Sequence, residues 1–371
     1  METKHPHFTN LDPLRFFAFA AVFISHLTYF LRYPVNVTVG GTWPSLFLQI
    51  GDVAVWFFFA LSGFLITFLL LRERNVTHSI SIKSFYFRRI LRIWPAYFTA
   101  IFLAVVVSFV ARGSILPYRI DIDWSWISPF FIFIGNISRA YHGSVNEMLS
   151  VLWSLAVEQQ YYLIWPVLLL IFRKKIHYVV IAGIITSGLF RYFAHPTYEV
   201  RSFSTLSVMC TILIGSWCAL EFERIKSWSS SAWFKYVRIL SPVFIIALLW
   251  FRGSFVNQTI GPDAFFSIEQ TMFAFFFVVI IADQAIVDKP VLPTFGRFKP
   301  LVFLGKISYG LYVYHIIALT LVLVITRKSQ AFSGPEFFIL FGLTATITIV
   351  LAVVSYYFIE RPFLKLKRWL F

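Results

Sequence analysis

His26 stands inside an apolar run, eleven residues after Arg15. Eleven residues make about three helical turns, so on a helix the two side chains share one face to within ~20° and stand ~16 Å apart. Asp12 lies on nearly the same face, one turn before Arg15. With Arg15 at a membrane boundary, His26 sits near the middle of the bilayer. A neutral imidazole there can take a proton from a hydroxyl, which is general-base work. A buried histidine also serves as a hydrogen-bonded packing residue, and the spacing permits both readings.

Three further stretches place polar groups where apolar ones are expected. In WSLAVEQQYYLIWP, residues Ser154, Glu158, Tyr161, Tyr162 and Trp165 follow helical spacing and share a face. The Glu158 carboxylate needs a partner or water there. It can orient or protonate a histidine, hold a sugar hydroxyl, or pair with an arginine as interhelical glue. In LGKISYGLYVYHI, Ser308, Tyr312 and His315 lie on one helix face, as a packing stripe or as part of a site. In FYFRRILRIWP, three guanidiniums, Arg88, Arg89 and Arg92, fall within five residues. Clustered arginine suits bidentate pairing with phosphate oxygens. Anionic lipid headgroups, or simple orientation by a basic loop, satisfy the same cluster.

Several enzyme templates are absent: P-loop, GxGxxG, GxSxG, HExxH and CxxC pairs. No ligand set clusters for a metal. The carboxylates read as lying within apolar spans are Glu158 and Asp283. Cys210 and Cys218, eight residues apart in one apolar segment, cannot meet on a helix, so no disulfide between them is expected.

The elements that must carry these groups follow from composition. Hydrophobic residues make up 59% of the 371 residues and charged residues 13%. Soluble domains run at roughly 45–50% apolar and about 25% charged. A water-facing globule, disorder, collagen and a disulfide scaffold are therefore excluded, and an integral membrane protein remains. A crossing helix needs about 20 mostly apolar residues. Reading for such runs gives ten candidates, of which the seventh is short: 14–32, 46–71, 93–111, 150–172, 176–193, 205–221, 239–252, 265–284, 301–325 and 336–359. Ile127 to Gly135 is too short to span and reads as re-entrant or interfacial.

Lys and Arg concentrate in alternate connections, from Arg72–Arg92 through Arg173–Lys175 to the C-terminal Arg361–Arg368. Positive loops stay inside, so both termini are expected in the cytoplasm. The net charge of +15 then reflects orientation rather than a nucleic-acid partner. The expectation is an all-α polytopic protein with one membrane domain over residues 1–371. The segment Met1 to Pro13 shows no cleavable signal pattern.

Taken in order, LDPLRFFAFAAVFISH, FFFALSGFLI, RRILRIWP, WSLAVEQQYYLIWP, LGKISYGLYVYH and SYYFIERPF resemble the acyltransferase-3 family of integral membrane acyltransferases. Residues 177–300 carry little that matches. The resemblance implies transfer of an acyl group, commonly acetyl, from cytoplasmic acyl-CoA to a hydroxyl. The acceptor would be a cell-envelope carbohydrate or glycolipid such as O-antigen, exopolysaccharide or peptidoglycan. It implies a multi-pass protein of the bacterial inner membrane, in the form without the soluble extracytoplasmic domain that some members carry.

Carried over by motif, Arg15, His26 and Glu158 are the catalytic candidates. Arg88, Arg89 and Arg92 are implied to hold the donor's phosphates. Ser154, Tyr161, Tyr312 and His315 are candidate substrate-binding residues. No metal and no permanently bound cofactor is implied. The family often has Gly-Leu-Arg-Gly around the first arginine, where this chain has Pro13-Leu14-Arg15-Phe16. Proline can start a helix, so the difference concerns helix packing.

Direct transfer is preferred over an acylated enzyme, because no serine or cysteine has an evident activating base nearby. The alternative class is a proton-coupled transporter or flippase of a glycan or lipid precursor, since intramembrane His, Glu and Arg suit a carrier too. The inverted repeats expected of such a carrier are not visible in the sequence. A non-catalytic component that only binds lipid-linked glycan is a further alternative. Acceptor, acyl chain and oligomeric state are not specified by the sequence.

Overall fold

A computed structural model describes residues 8–31, 43–193, 198–255, 263–329 and 333–370. The described residues are almost entirely helical and contain no strand beyond one isolated bridge, Ile120–Asn146. Ten helices are long and apolar enough to cross a membrane, as expected. They are α1 (Leu11–Leu31), α2 (Trp43–Thr77), α3 (Ile82–Val110), α4 (Trp153–Ile171) and α5 (Ile176–Phe193), then α6 (Thr205–Leu220), α7 (Ala232–Phe255), α8 (Asp263–Ala285), α9 (Ser308–Thr326) and α10 (Gly334–Ser355). Ten crossings place the start of α1 and the end of α10 on one face. That face also carries the basic connections and is called the basic face below.

Several boundaries differ from the apolar runs, for identifiable reasons. Helix α3 begins at Ile82 rather than 93, because the Ser81 side chain caps it by accepting from the Ser84 N–H at 3.3 Å. The three arginines therefore sit on a helix instead of in a loop. The ninth run is not one helix: Lys299–Lys306 and α9 meet at Ile307. Gly305 packs there directly on the Asp12 backbone, where any Cβ would strike the Asp12 carbonyl oxygen. Helix α10 passes through a π-turn, Tyr356–Glu360, into Arg361–Leu370. Pro362 has no N–H to offer the preceding turn, which accounts for the irregularity. The piece Ile127 to Gly135 does not span. Trp126, Ile127 and Phe130 are buried in protein, and the Tyr97 hydroxyl donates to the Phe130 carbonyl at 2.8 Å.

The core is centred on α2, α6 and α9. Gly63 of α2 faces the Ile212 carbonyl of α6, and Gly215 of α6 faces the Ala60 carbonyl of α2. This reciprocal contact lets the two backbones touch, a common device where small residues drive helix packing in lipid. Helix α9 is buried over most of its length. It is apolar all round, as a central helix must be, and it carries His315 into the middle of the bundle. Near the basic face, Asp283 is a packing node. It pairs with Arg238 at 3.0 Å and accepts from the Val291 and Leu292 N–H groups at 2.9 and 3.1 Å.

Candidate active site: a histidine pair above an arginine-lined cavity

The two histidines read separately from the sequence meet in the structure. His26 Nδ1 lies 2.8 Å from His315 Nε2, and the rings are parallel to within 2°. The other nitrogen of His315, Nδ1, lies 2.5 Å from the Tyr312 carbonyl oxygen. A carbonyl only accepts, so His315 carries its proton on Nδ1 and presents a lone pair at Nε2. His26 must then donate from Nδ1. Its own lone pair is left on Nε2, the nitrogen a base uses. His315 is completely buried, whereas His26 keeps some accessible surface. Both nitrogens of His315 are engaged, so it presents no free ring nitrogen to the cavity.

Between this pair and the basic face lies a cavity of about 360 Å³. Its inner end is formed by Phe58, Ser154 and Tyr312. The Tyr312 hydroxyl donates to the Val151 carbonyl at 3.0 Å, and so accepts from Ser154 at 2.8 Å. The Tyr312 ring also contacts the His315 ring, with centroids 5.7 Å apart. Ser154 and Tyr312 thus form the layer between the cavity and the histidines, neither of which lines the cavity itself.

The cavity walls carry Arg15, Arg89, Arg92 and Lys306 against Asp12, Glu158 and Glu360. Arg15 pairs with Asp12 at 2.6 Å. Arg89 reaches over the Phe85 and Tyr162 rings, and its Nε is buried with no hydrogen-bond partner. A buried guanidinium donor of this kind pairs favourably with an acceptor atom. Glu158 accepts from the Ser62 hydroxyl at 2.7 Å and the Tyr162 hydroxyl at 3.0 Å. It makes no direct contact with either histidine and is not clamped to an arginine. It lies within electrostatic reach of Arg89 and Arg15 across the cavity.

Not every expected residue faces this space. Arg88 turns away and pairs with Glu73 at 2.6 Å, and Glu73 also accepts from the Ser81 N–H at 2.9 Å. Adjacent helical residues point ~100° apart, so Arg88 joins α3 to the end of α2 while Arg89 enters the cavity. Tyr161 does not line the cavity either. Its hydroxyl meets Ser216 at 2.7 Å and Thr67 at 3.3 Å, and Trp165 donates to Thr67 at 2.8 Å. Three residues on from Glu158, a side chain has rotated ~60° off its line, which aims Tyr161 at α6.

Other residues were missed. Glu360, within SYYFIERPF, is 5% exposed, accepts from Ser355 and lines the cavity. Lys306, within LGKISYG, lines it too. The expectation that Glu158 and Asp283 are the carboxylates within spans is corrected: Asp52 on α2 and Glu269 on α8 also lie within them. Their apolar surroundings masked them, and their arginine partners are far off in sequence. Among the described residues no group of His, Cys, Asp and Glu is arranged to hold a metal ion.

Comparison with known proteins supplies the wider context. The family model described as an acyltransferase domain matches residues 8–357. The peptidoglycan O-acetyltransferase OatA of Listeria monocytogenes is 27% identical over 371 residues, covering 96% of this chain and 56% of that protein. The O-acetyltransferase OatA of Staphylococcus aureus is 28% identical over 383 residues, covering 96% and 57%. The chain therefore spans just over half the length of these curated relatives. No solved structure matches. With nearly its whole length matched and ten membrane helices in place, this multi-pass integral membrane protein belongs to the acyltransferase-3 family.

Proposed function

We propose that the protein transfers an acyl group, acetyl in the first instance, from acyl-CoA to a hydroxyl of a cell-envelope glycan. The observation that carries this reading is the arginine-lined cavity whose inner end abuts the His26–His315 pair. Family membership and the O-acetyltransferase names of the relatives support it. The basic face is cytoplasmic on this reading, since basic loops are retained inside. The relatives are bacterial, and the bacterial inner membrane is the corresponding location.

A cavity of this size takes the pantetheine arm and leaves the phosphorylated nucleotide at the mouth. Arg89 and Arg92 hold phosphate oxygens there by charge-assisted hydrogen bonds. The thioester then lies under the Ser154–Tyr312 layer, which must part for it to meet His26. His26 Nε2 takes the proton of the acceptor hydroxyl as its oxygen bonds to the thioester carbonyl carbon. Collapse of the adduct breaks the carbon–sulfur bond. The thiolate leaves, and the proton held by the histidine pair returns to sulfur. The products are an ester and free CoA thiol. His315 supports the charged state: when His26 gains a proton at Nε2, its Nδ1 proton can pass to His315 Nε2, spreading one charge over two rings. Arg15 and Glu158 set the field of the cavity below.

A proton-coupled carrier would also use cavities on both sides of a histidine pair. The two readings separate in sealed vesicles containing the protein, acetyl-CoA on one side and an envelope glycan on the other. The transferase releases one CoA thiol per acylated glycan. A carrier moves glycan with no thiol released, and that result would replace the present reading.

A further inference from the structure

The helix Arg361–Leu370 continues from α10 through the π-turn. From Arg361 to Phe371 the sequence holds four cations, Arg361, Lys365, Lys367 and Arg368, and no acidic residue. At the other end of α10, Glu336 pairs with Lys328 at 2.8 Å. From Glu336 to Arg361 a helix climbs about 38 Å, more than the ~30 Å hydrocarbon core. The helix that follows therefore stands at headgroup depth on the basic face.

Its residues divide by side. Arg361 and Lys365, one turn apart, share a helix face and are exposed. Phe363 and Leu366, three residues apart, stand on the opposite face and are half-exposed. Leu364, on the flank, lines the arginine-lined cavity together with Tyr356 and Glu360. The helix also packs on α3, which carries Arg89 and Arg92 into that cavity.

A helix at headgroup depth, with a basic face opposed to an apolar one, has the form of an interfacial helix. Its apolar face enters the acyl boundary and its cations meet the headgroups. Anionic lipid favours each such cation by about fivefold in affinity. Orientation of a span needs the basic residues alone. It needs neither the opposed apolar face nor a side chain of this helix in the cavity wall. We propose that this helix seats on the anionic leaflet of the basic face, with phospholipid headgroups on Arg361 and Lys365 and acyl chains on Phe363 and Leu366. Through Leu364, the seating sets the affinity of the cavity for its ligand. The lipid seat stands apart from the acyl-transfer reading; its effect on the donor rests on that reading.

The test uses the full-length protein in nanodiscs of phosphatidylcholine, alone or with about one third phosphatidylglycerol. A bimane label on Leu366→Cys reports depth, since Cys210 and Cys218 are buried. Lipid brominated on the upper acyl chain should quench the label about twofold more strongly in the anionic discs. Arg361→Gln/Lys365→Gln should erase that difference. CoA affinity is then titrated without the label. Bulk lipid charge repels CoA from parent and variant alike, so the ratio of their Kd values isolates the helix. In neutral discs the two should agree within about twofold, and in anionic discs the parent should bind at least about fivefold tighter. Arg361→Lys/Lys365→Arg should behave as the parent.

Quenching that ignores phosphatidylglycerol would overturn the lipid seat. So would glycerol phosphate added to neutral discs, if it reproduced the anionic result, because the site would then take free phosphate. Equal weakening of CoA by the double variant in both lipids would assign the two cations to CoA itself. Lipid-dependent quenching in a parent that binds no CoA keeps the seat and removes the donor reading. Acetyl transfer with the same CoA affinity ratio in both lipids keeps the donor reading and overturns the coupling.

Discussion

His26 Nδ1 and His315 Nε2 are 2.8 Å apart, although 289 residues separate them in the chain. The contact joins the first transmembrane helix to the ninth. Because the Tyr312 carbonyl fixes the proton of His315, it also fixes that of His26. One main-chain oxygen thus decides which nitrogen of His26 is basic.

Replacing His315 should therefore change chemistry without changing substrate contacts. His315→Phe leaves the His26 tautomer unspecified and removes the second ring that shares its charge. The expected result is a fall in kcat of about 10²-fold, the lower range of what positioned acid–base groups contribute, with KM for the donor unchanged. His315→Gln, whose side-chain carbonyl can accept from His26 Nδ1, should recover part of the loss. A matching rise in donor KM would place His315 in substrate binding instead.

The neighbouring arginines should behave differently. Arg89→Ala and Arg92→Ala each remove a charged donor from the cavity. Each should weaken CoA binding by roughly 10-fold or more, the value of a charge-assisted hydrogen bond. Arg88→Ala loses the Glu73 pair instead. It should lower the melting temperature in detergent and leave CoA affinity alone. Titration with CoA alongside thermal unfolding of the three variants checks this, and equal weakening by all three would contradict the assignment.

The crossing of α2 and α6 should be intolerant of bulk. At Gly215 any Cβ strikes the Ala60 carbonyl oxygen, which is backbone and cannot swing aside. Gly215→Ala is expected to destabilise by about 1–3 kcal/mol, the usual range for overpacking, and Gly215→Leu to prevent folding. Gly188, with open space around its Cβ position, is the control. Gly188→Ala should fold normally.

The buried pair Arg238–Asp283 should matter for stability alone. Asp283→Ala strands a buried guanidinium and removes the acceptor of two backbone N–H groups. A loss of about 3–5 kcal/mol is expected. Protein that remains folded should keep the donor KM of the parent, because the pair does not line the arginine-lined cavity.

The one-dimensional signals in the sequence were reliable where the physics is local. Ten membrane-crossing helices lie where apolar stretches were read, and the polar groups stranded in them include His26 and His315, which pair, and Arg15 and Glu158, which line one cavity. What stayed hidden depends on rotation about a helix or on distant partners. Arg88 and Arg89 are adjacent, yet one clamps α2 while the other enters the cavity. Tyr161 shares the helical stripe of Glu158 and still turns toward Ser216. The break at Ile307 stands beside the packing of Gly305 on Asp12, a contact between residues far apart in the chain. The ion pairs of Asp52, Arg191, Arg252 and Glu269 stayed hidden because they join different helices and their charges are diluted among apolar neighbours.

The central claim is that His26 takes the acceptor proton in a direct transfer. It is tested most directly by labelled acetyl-CoA in vesicles containing wild type or His26→Ala, with an envelope glycan supplied. The account predicts acceptor-dependent label transfer by wild type, no acylated enzyme by mass spectrometry, and loss of transfer in His26→Ala with CoA binding intact. Transfer that persists in His26→Ala, or label trapped on the protein before acceptor is added, would contradict it.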